Sequence, residues 1–282
     1  MEAALQRFLP AADIAPERLH QAMRYSVLGG GKRVRPLLAF AAGELALADP
    51  ARLEVVAAAV EIIHAYSLVH DDMPCMDDDV LRRGRPACHI EYGEATALLV
   101  GDALLPLAFQ IMSENAVADK AAEQIEMLKM LAMASGSRGM VGGQAIDLAS
   151  VSKALSLPEL EFMHIHKTGA LIRAAVVLGA RCGPDLGADE LGRLDRYAKT
   201  VGLAFQVVDD VLDCDASTAT LGKTAGKDAA QDKPTYVSIL GLSRARALAG
   251  ELRDEAHAAL SSFGEKAARL REVADYIVLR KF

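Results

Sequence analysis

The sequence predicts an all-α protein, and three observations support this. Hydrophobic residues make up 52% of the 282 residues, with much Ala and Leu, which rank high in helix propensity. Runs of β-branched residues are few, and we find no convincing strand pattern. No low-complexity linker or repeat of fixed period divides the chain. Because the length is near the upper limit for one core, we predict one domain over 1–282, built of long antiparallel helices.

Hydrophobic periodicity and the positions of Pro and Gly place the helices. They are predicted over 17–28, 36–47, 51–73, 91–113, 119–148, 158–182, 188–213, a short stretch after Pro234, 243–262 and 265–280. Pro36 fits the first helical position. The helix over 119–148 carries Gly136, Gly139, Gly142 and Gly143, which predict a bend or the close approach of another group. The helix over 158–182 is expected to be interrupted near 167–169.

Charge and cysteine usage narrow the classes of function. The formal net charge of −7 argues against nucleic acid or an anionic membrane as the main partner. The basic residues nevertheless cluster at 32–35, 82–85 and 223–233, which suits a small anionic substrate. The four cysteines form no Cys-x-x-Cys pair, as expected of reduced thiols. With no signal-peptide pattern and no run of eighteen uncharged apolar residues, we predict a cytoplasmic protein without a membrane span.

A dense acidic stretch follows the apolar run that ends near residue 69. Five aspartates fall between Asp71 and Asp79. Two unit charges about 4 Å apart repel by about 4 kcal/mol at an effective dielectric constant near 20. A solvated acidic loop is the ordinary explanation, but clustered carboxylates also suit Mg²⁺, which binds carboxylates together with substrate phosphates. Pro74 disfavours helix at Met73, so we predict that the helix ends there and that Asp77 comes from the bend beyond.

A second acidic motif lies far downstream, in a helical context. Asp209 and Asp213 are four residues apart and share a helix face, with Gln206 one turn earlier. One such stripe could be a solvent-facing seam. Two stripes, each an Asp-Asp pair followed by a third Asp, favour a functional role.

Short segments spread over nearly the whole chain carry a family resemblance. They are Gly30–Pro36, Glu61–Ser67, Asp71-Asp72 and Asp77 with Arg82–Gly84, Gly143-Gln144 with Asp147, Lys167–Gly169, Phe205-Gln206, Asp209–Asp213, Thr220–Lys223 and Asp275–Ile277. With these segments the chain resembles the short-chain trans-isoprenyl diphosphate synthases, most of all the bacterial farnesyl-type members. The resemblance implies an antiparallel helical bundle around a deep central cavity, the isoprenoid synthase fold. It also implies a homodimer.

The resemblance implies the reaction and its residues. Isopentenyl diphosphate would condense head-to-tail with dimethylallyl or geranyl diphosphate to give (2E,6E)-farnesyl diphosphate. Three Mg²⁺ ions, replaceable by Mn²⁺, would bridge the carboxylates to the allylic diphosphate. Asp71, Asp77 and Asp72 would hold two of the ions, and Asp209 with Asp213 would hold the third. Asp210, beside them, would also take part in catalysis. The allylic diphosphate would be bound by Arg82, Lys167, Thr168, Gln206 and Lys223, with Lys233 a weaker candidate. Isopentenyl diphosphate would be bound by Lys32, Arg35, His64 and Arg83, while Tyr66 and Ser67 would set the chain length.

Other interpretations stay open or fail on particular residues. A geranyl or geranylgeranyl product is the main alternative. A terpene cyclase or a catalytically silent regulatory subunit on the same fold is disfavoured, because both aspartate motifs and the Lys32/Arg35 pair are intact. A phosphate-binding P-loop fails, because Ser26 and Ser217 stand where its first glycine belongs. His164 and His166, two residues apart, are expected on a helix surface rather than on a metal.

Overall fold

The helices begin and end at residues whose chemistry favours a boundary. The computed structural model describes residues 1–184, 186–215 and 233–280. Its α-helices are α1 (Glu2–Phe8), α2 (Glu17–Val27), α3 (Val34–Leu45), α4 (Pro50–Asp71), α5 (Cys88–Tyr92), α6 (Glu94–Glu114), α7 (Ala121–Ser135), α8 (Met140–Ala149), α9 (Leu157–His164), α10 (Ala170–Arg181), α11 (Ala188–Asp215), α12 (Tyr236–Leu240), α13 (Leu242–Ala259) and α14 (Ala268–Leu279). A π-helical turn, Ile165–Gly169, joins α9 to α10, and a 3₁₀ segment, Ser261–Ala267, precedes α14.

Helix α4 illustrates how local chemistry sets these limits. The Asp49 side chain accepts a hydrogen bond from the Ala51 N–H at 2.8 Å, and Pro50 occupies the first turn, where no N–H is needed. At the other end the helix stops at Asp71, before Pro74 as expected but two residues earlier than the predicted end at Met73. The fold class, an all-α bundle, is confirmed.

Several predicted boundaries were wrong. A two-stranded antiparallel hairpin, β1 (Leu81–Arg82) and β2 (Arg85–Pro86), exists where no strand was expected, because two tight-turn residues reverse the chain. The helix predicted over 91–113 is divided at Gly93, whose φ of 86° lies in the left-handed region. Helix α1 was not predicted. Helix α3 starts at Val34 rather than at Pro36, because Arg33, with φ of 49°, turns the chain into it.

The glycine-rich helix predicted over 119–148 is in fact two helices, α7 and α8. A side chain at Gly139 would collide with the carbonyl oxygens of Ala134 and Met133, so the chain passes close to the end of α7 there. The bend expected from the glycines is therefore confirmed, and it is a complete break.

Two apolar clusters form the core, and α11 contributes to both. Helix α4 packs against α3 and α6, α10 packs against α3 and α11, and α11 packs against α13. Tyr197 and Val201 of α11 belong to the larger cluster, and Val207 and Val208, further along, belong to the smaller one. That residues 1–282 make one domain stays a prediction.

Within residues 1–184, 186–215 and 233–280, two helices have the length and apolar composition of a membrane span. In α4, 72% of the most apolar 18-residue stretch is buried inside the protein, as in the core helix of a bundle. In α6 the buried share is 44%, so a larger apolar area of α6 faces outward. Core helices commonly pass the same test, so these two are weak indications of a membrane.

Candidate active site

The two acidic motifs meet at one cavity. Its volume is about 1120 Å³, and Asp71 and Asp77 of the first motif line it together with Asp209 and Asp210 of the second. Described cations of the three basic clusters also line it, among them Lys32, Arg35, Arg82, Arg83 and Lys233, and so does Lys167. The structure thus brings together groups that are far apart in the chain.

The first motif lies where α4 ends. The Asp77 N–H donates to the Asp71 carbonyl at 2.9 Å, which closes the loop around Pro74 and returns Asp77 to the helix end. This is the bend that the sequence predicts. Burial raises the pKa of Asp71 to about 7; Lys167 offsets part of that rise, and Asp77 adds to it. The Asp71 carboxylate therefore lies in a site that favours additional positive charge.

Asp72 has different surroundings from Asp71. It is buried, and the Arg82 guanidinium donates to both of its oxygens, through Nε to Oδ1 at 3.0 Å and to Oδ2 at 3.2 Å. It is not among the described residues that line the cavity. Arg82 also lies 3.4 Å from Asp79, a carboxylate at the cavity that the sequence did not single out as a site residue. Asp72 and Asp79 together fix the guanidinium of Arg82.

In the second motif, the three aspartates are used differently. Asp209 faces the cavity and receives a hydrogen bond from Arg280 Nη2 at 3.1 Å. Asp210 is buried and accepts from Gln206 Nε2 and from the Tyr236 backbone N–H, both at 2.8 Å. Asp213 is buried and is not among the described residues at the cavity.

A hydrogen-bonded chain extends this arrangement. Thr168 Oγ1 donates to Gln206 Oε1 at 3.0 Å, and Gln206 in turn donates to Asp210. Thr168 and Gln206, both predicted to bind the allylic diphosphate, therefore contact each other in the lining of the cavity.

Two lysines on one side of the cavity pair with carboxylates. Lys167 Nζ lies 2.5 Å from Asp147 Oδ2, and Lys233 Nζ lies 2.8 Å from Asp77 Oδ1. Burial alone would lower the pKa of Lys167, but Asp147 and Asp71 outweigh it, so the pKa is raised and the amine stays charged. Lys167 belongs to the π-helical turn, which confirms the predicted interruption near 167–169.

The close approach predicted from the glycines also occurs here. A Cβ at Gly143 would collide with the backbone N of Lys167, so only a glycine lets α8 pack this closely on the π-helical turn. Gly143 thereby holds Asp147, one turn further along α8, beside Lys167.

The residues predicted to bind isopentenyl diphosphate also line the cavity: the cations Lys32, Arg35 and Arg83, together with His64. Burial lowers the pKa of Arg35 to about 10, so it remains charged at neutral pH. Burial and the charge of Arg35 hold the pKa of His64 well below its usual range, so this imidazole is neutral. Arg35 Nε and Arg83 Nη1 are buried donors without a hydrogen-bond partner among the described residues, as expected of a site that binds an anion.

Tyr66 and Ser67 also line the cavity, one turn before Asp71. Tyr66 is buried and stands edge-on to the His70 ring, with centroids 5.9 Å apart. Burial raises the pKa of its phenol to about 12, so it is uncharged. Ser67 Oγ donates to the His64 carbonyl at 2.9 Å.

Some residues fall outside these assignments. Lys223 and the segment Thr220–Lys223 lie outside the described residues.

His164 is buried and stacks on Tyr236 with ring centroids 5.5 Å apart, so its predicted surface position was wrong; the second apolar cluster covers this part of α9. Tyr236 and Arg280 at the second motif were missed, because each reaches it through a backbone or long-range contact that sequence spacing does not encode.

Comparison with known proteins agrees with this geometry. The profile of the Polyprenyl synthetase family matches residues 16–277. The chain belongs to this family. Farnesyl diphosphate synthase of Escherichia coli (strain K12) is 49% identical over 98% of this chain and 94% of its own length. A chloroplastic geranylgeranyl pyrophosphate synthase of Capsicum annuum is 47% identical over 94% of this chain and 72% of its own length.

Solved structures of similar proteins share the fold. An FPP/GFPP synthase from Zymomonas mobilis has a TM-score of 0.88 and 43% identity, covering 98% of this chain and 94% of that chain. A geranyltransferase from Helicobacter pylori, complexed with magnesium and isoprenyl diphosphate, has a TM-score of 0.87 and 34% identity, covering 99% of this chain and 92% of that chain. The present polyprenyl synthetase thus has the all-α fold of prenyltransferases.

The side chains at the cavity of this polyprenyl synthetase fit magnesium. Asp71, Asp77 and Asp209 present carboxylate oxygens, the ligand type that Mg²⁺ prefers, and burial raises the pKa of Asp71, so a bound cation would stabilise its charged form. In the described part of the chain, no three His, Cys, Asp or Glu side chains are already gathered as a complete metal site. Such a partial set matches an ion that also takes oxygens from substrate phosphates.

Proposed function

We propose that this prenyltransferase condenses isopentenyl diphosphate head-to-tail with dimethylallyl and geranyl diphosphates to give (2E,6E)-farnesyl diphosphate. One observation carries the proposal: a cavity is lined by carboxylates of both acidic motifs and by two separate groups of cations. Two diphosphates and divalent cations would satisfy that distribution of charge. The name of the Escherichia coli relative supports the farnesyl product.

Three magnesium ions would be held by Asp71 and Asp77 on one side and by Asp209 on the other. Our sequence interpretation adds Asp72 and Asp213, which would have to leave the buried positions they occupy here. Bound magnesium would act as a Lewis acid that stabilises charge on the leaving diphosphate. Manganese, a hard cation of similar ligand preference, would substitute.

Lys167, Lys233 and Arg82 would bind the allylic diphosphate, with Lys223 as a further ligand. Their fixed positive charges would stabilise the negative charge that grows as the allylic C–O bond breaks and pyrophosphate leaves. Thr168 and Gln206, joined to each other and to Asp210, would orient the same group by hydrogen bonds.

Lys32, Arg35 and Arg83 would bind the second diphosphate, that of isopentenyl diphosphate, and neutral His64 would donate one hydrogen bond to it. The double bond of isopentenyl diphosphate then attacks the allylic cation, and its electron pair forms the new C–C bond. The proton released leaves with the departing pyrophosphate. No side-chain nucleophile takes part in this scheme.

The direct test supplies the purified chain with isopentenyl diphosphate, geranyl diphosphate and Mg²⁺, and identifies the dephosphorylated alcohols by chromatography. We expect a fifteen-carbon alcohol and no product when Mg²⁺ is removed by a chelator. A twenty-carbon alcohol as the main product would favour the alternative, a geranylgeranyl diphosphate synthase, which the Capsicum annuum relative supports. The absence of any condensation would contradict the proposal and favour a silent subunit.

We further propose a homodimer in the cytoplasm. Helices α6 and α7 expose large apolar side chains, including Leu98 (47%), Leu99 (54%) and Ile125 (63%). A second copy of the chain would cover these faces and remove them from water. Light scattering on the purified protein should give twice the 30.0 kDa chain mass. Charged substitutions at Leu98 and Leu99 should give monomers, whereas a wild-type monomer would contradict the proposal.

A further inference from the structure

A buried carboxylate of α4, Glu61, lies among the cations assigned above to isopentenyl diphosphate. Its side chain is 2% exposed. Arg33 Nη1 donates a short hydrogen bond to Glu61 Oε1, and Arg83 Nη2 lies 3.7 Å from the same oxygen. Glu61 also lines the cavity, next to Arg35 and His64. A carboxylate at an anion site is unexpected unless it serves the cations around it.

The hydrogen bonds of Arg33 hold the loop before α3 in place. Besides Glu61, its Nε donates to Glu2 Oε1 at 2.7 Å and its Nη2 donates to the Val27 carbonyl at 2.7 Å. It therefore joins the end of α2 to α4, and its left-handed backbone turns the chain into α3. Lys32 and Arg35, on either side of it in sequence, are consequently held at the cavity.

Arg83 is placed by a different element. It stands in the hairpin turn with φ of 55° and is followed by Gly84 with φ of 73°. The loop opposite leaves space for its guanidinium, because a Cβ at Gly31 would lie 2.8 Å from Arg83 Cζ. Its Nη2 faces Glu61, and its buried Nη1 has no partner among the described residues.

These contacts give Glu61 one electrostatic task. Neighbouring guanidinium groups repel one another, and the charge of Glu61 opposes that repulsion at Arg33, Arg35 and Arg83. Fixed in this way, the guanidinium groups of Arg35 and Arg83 are held at the cavity before any ligand arrives. Preorganisation of this kind lowers the cost of binding.

We propose that Glu61 is the positioning residue of the isopentenyl diphosphate subsite: held between Arg33 and Arg83, it fixes the cations that bind this diphosphate. The inference rests on the proposed function for the identity of the ligand. Glu61 itself does not contact the diphosphate, whose charge it would repel.

The test compares Glu61→Gln, Glu61→Asp and Glu2→Gln in the full-length protein. Glu61→Gln keeps the shape but removes the charge, so we expect the KM for isopentenyl diphosphate to rise about tenfold. The KM for geranyl diphosphate should change by less than about twofold, because sites that share no contact are energetically independent to about that extent. Glu61→Asp should recover part of the affinity, and Glu2→Gln, which removes the exposed partner of Arg33, should match the wild type.

A binding measurement separates this inference from the proposed function. Calorimetric titration with isopentenyl diphosphate, in Mg²⁺ and an unreactive geranyl thiolodiphosphate, requires no turnover. Weaker binding by Glu61→Gln supports the positioning role even if no condensation is detected. Equal binding by the variant and the wild type would overturn the positioning role alone, whereas no binding by either would overturn the proposed function and the positioning role together. An equal rise in both KM values would also overturn the positioning role.

Folding of the variants is checked by thermal unfolding. Loss of one partner of a buried ion pair can be strongly destabilising. If Glu61→Gln does not fold, Glu61→Asp makes the test, because its shorter side chain draws the carboxylate away from Arg33 and Arg83. Glu61→Asp should then show a selective loss of isopentenyl diphosphate affinity relative to the wild type, and an unselective loss would count against the inference.

Discussion

Individual aspartates of one motif have unequal surroundings. Asp71 and Asp209 face the cavity, whereas Asp72 is buried and does not line it. Asp210 also borders the cavity, but it is buried and bonded to Gln206 and to the Tyr236 backbone N–H. The repeated Asp-Asp pair therefore combines a cavity-facing carboxylate with one that fixes its surroundings. Asp72 holds Arg82, and Asp210 holds both Gln206 and the start of α12.

The first prediction concerns the cavity-facing carboxylates. Asp71→Ala and Asp209→Ala should each reduce turnover by about 10³-fold, because each would remove a proposed magnesium ligand where charge develops in the transition state. Steady-state assays at saturating substrate measure the effect. Asp195→Ala, on α11 like Asp209 but ion-paired with Arg173 and Lys199, is the matched control and should keep wild-type turnover. Near-wild-type turnover by Asp209→Ala would remove that residue from the site.

The second prediction separates the two diphosphate subsites. Lys32→Ala should raise the KM for isopentenyl diphosphate by about tenfold, and Lys167→Ala should act mainly on the allylic substrate, since each loses one charge-assisted contact of about 1.5–3 kcal/mol. Both apparent KM values are measured for each variant. The partition is wrong if Lys32→Ala weakens only the allylic substrate.

At the scale of elements, close backbone approaches build the site. Helix α8 carries Asp147 and the π-helical turn carries Lys167, and the two meet only because residue 143 has no side chain. An interrupted helix at a functional site is common, since the extra residue redirects neighbouring side chains. Here the interruption places Lys167 and Thr168 at the cavity.

The third prediction tests this approach. Gly143→Ala should lower the thermal unfolding temperature and raise the KM for the allylic substrate, because its Cβ would push α8 from the π-helical turn. Gly250→Ala is the matched control: it lies in α13, and a Cβ added there would have no described neighbour within 4 Å. It should stabilise the protein by about 0.5–1 kcal/mol through helix propensity, measured by denaturant unfolding. Equal stability of Gly143→Ala and the wild type would show that α8 can move away from the π-helical turn without loss of stability.

At the scale of the whole molecule, we expect the depth of the cavity to limit the length of the product. Tyr66 lines the cavity one turn before Asp71, although an ideal helical wheel places it about 140° from that residue. Both face the same space because the cavity borders a wide sector of α4 rather than a narrow stripe.

The fourth prediction is that Tyr66→Ala makes products of twenty carbons or more, because removing the ring deepens the space open to the growing chain. Chromatography of the dephosphorylated alcohols gives the product length. Tyr66→Phe keeps the ring and should still stop at fifteen carbons, which shows that bulk and not the hydroxyl is responsible. If Tyr66→Ala is active and stops at fifteen carbons, another residue closes the cavity.

The sequence by itself determined the helical class and the location of the two acidic motifs. It did so because helix propensity, proline positions and clustered like charges are local properties. The end of α4 before Pro74, the break among Gly136–Gly143 and the interruption at Lys167 all follow from the chain's own chemistry.

Only the tertiary structure decided which charges face one another. The pairs Lys233–Asp77 and Arg33–Glu61 join distant parts of the chain, and no periodicity relates their members. The bond from the α12 backbone to Asp210, which Asp209 lacks, likewise depends on where α12 returns to α11. Local spacing predicts which side chains share a helix face, but burial and pairing are set by what packs against that face.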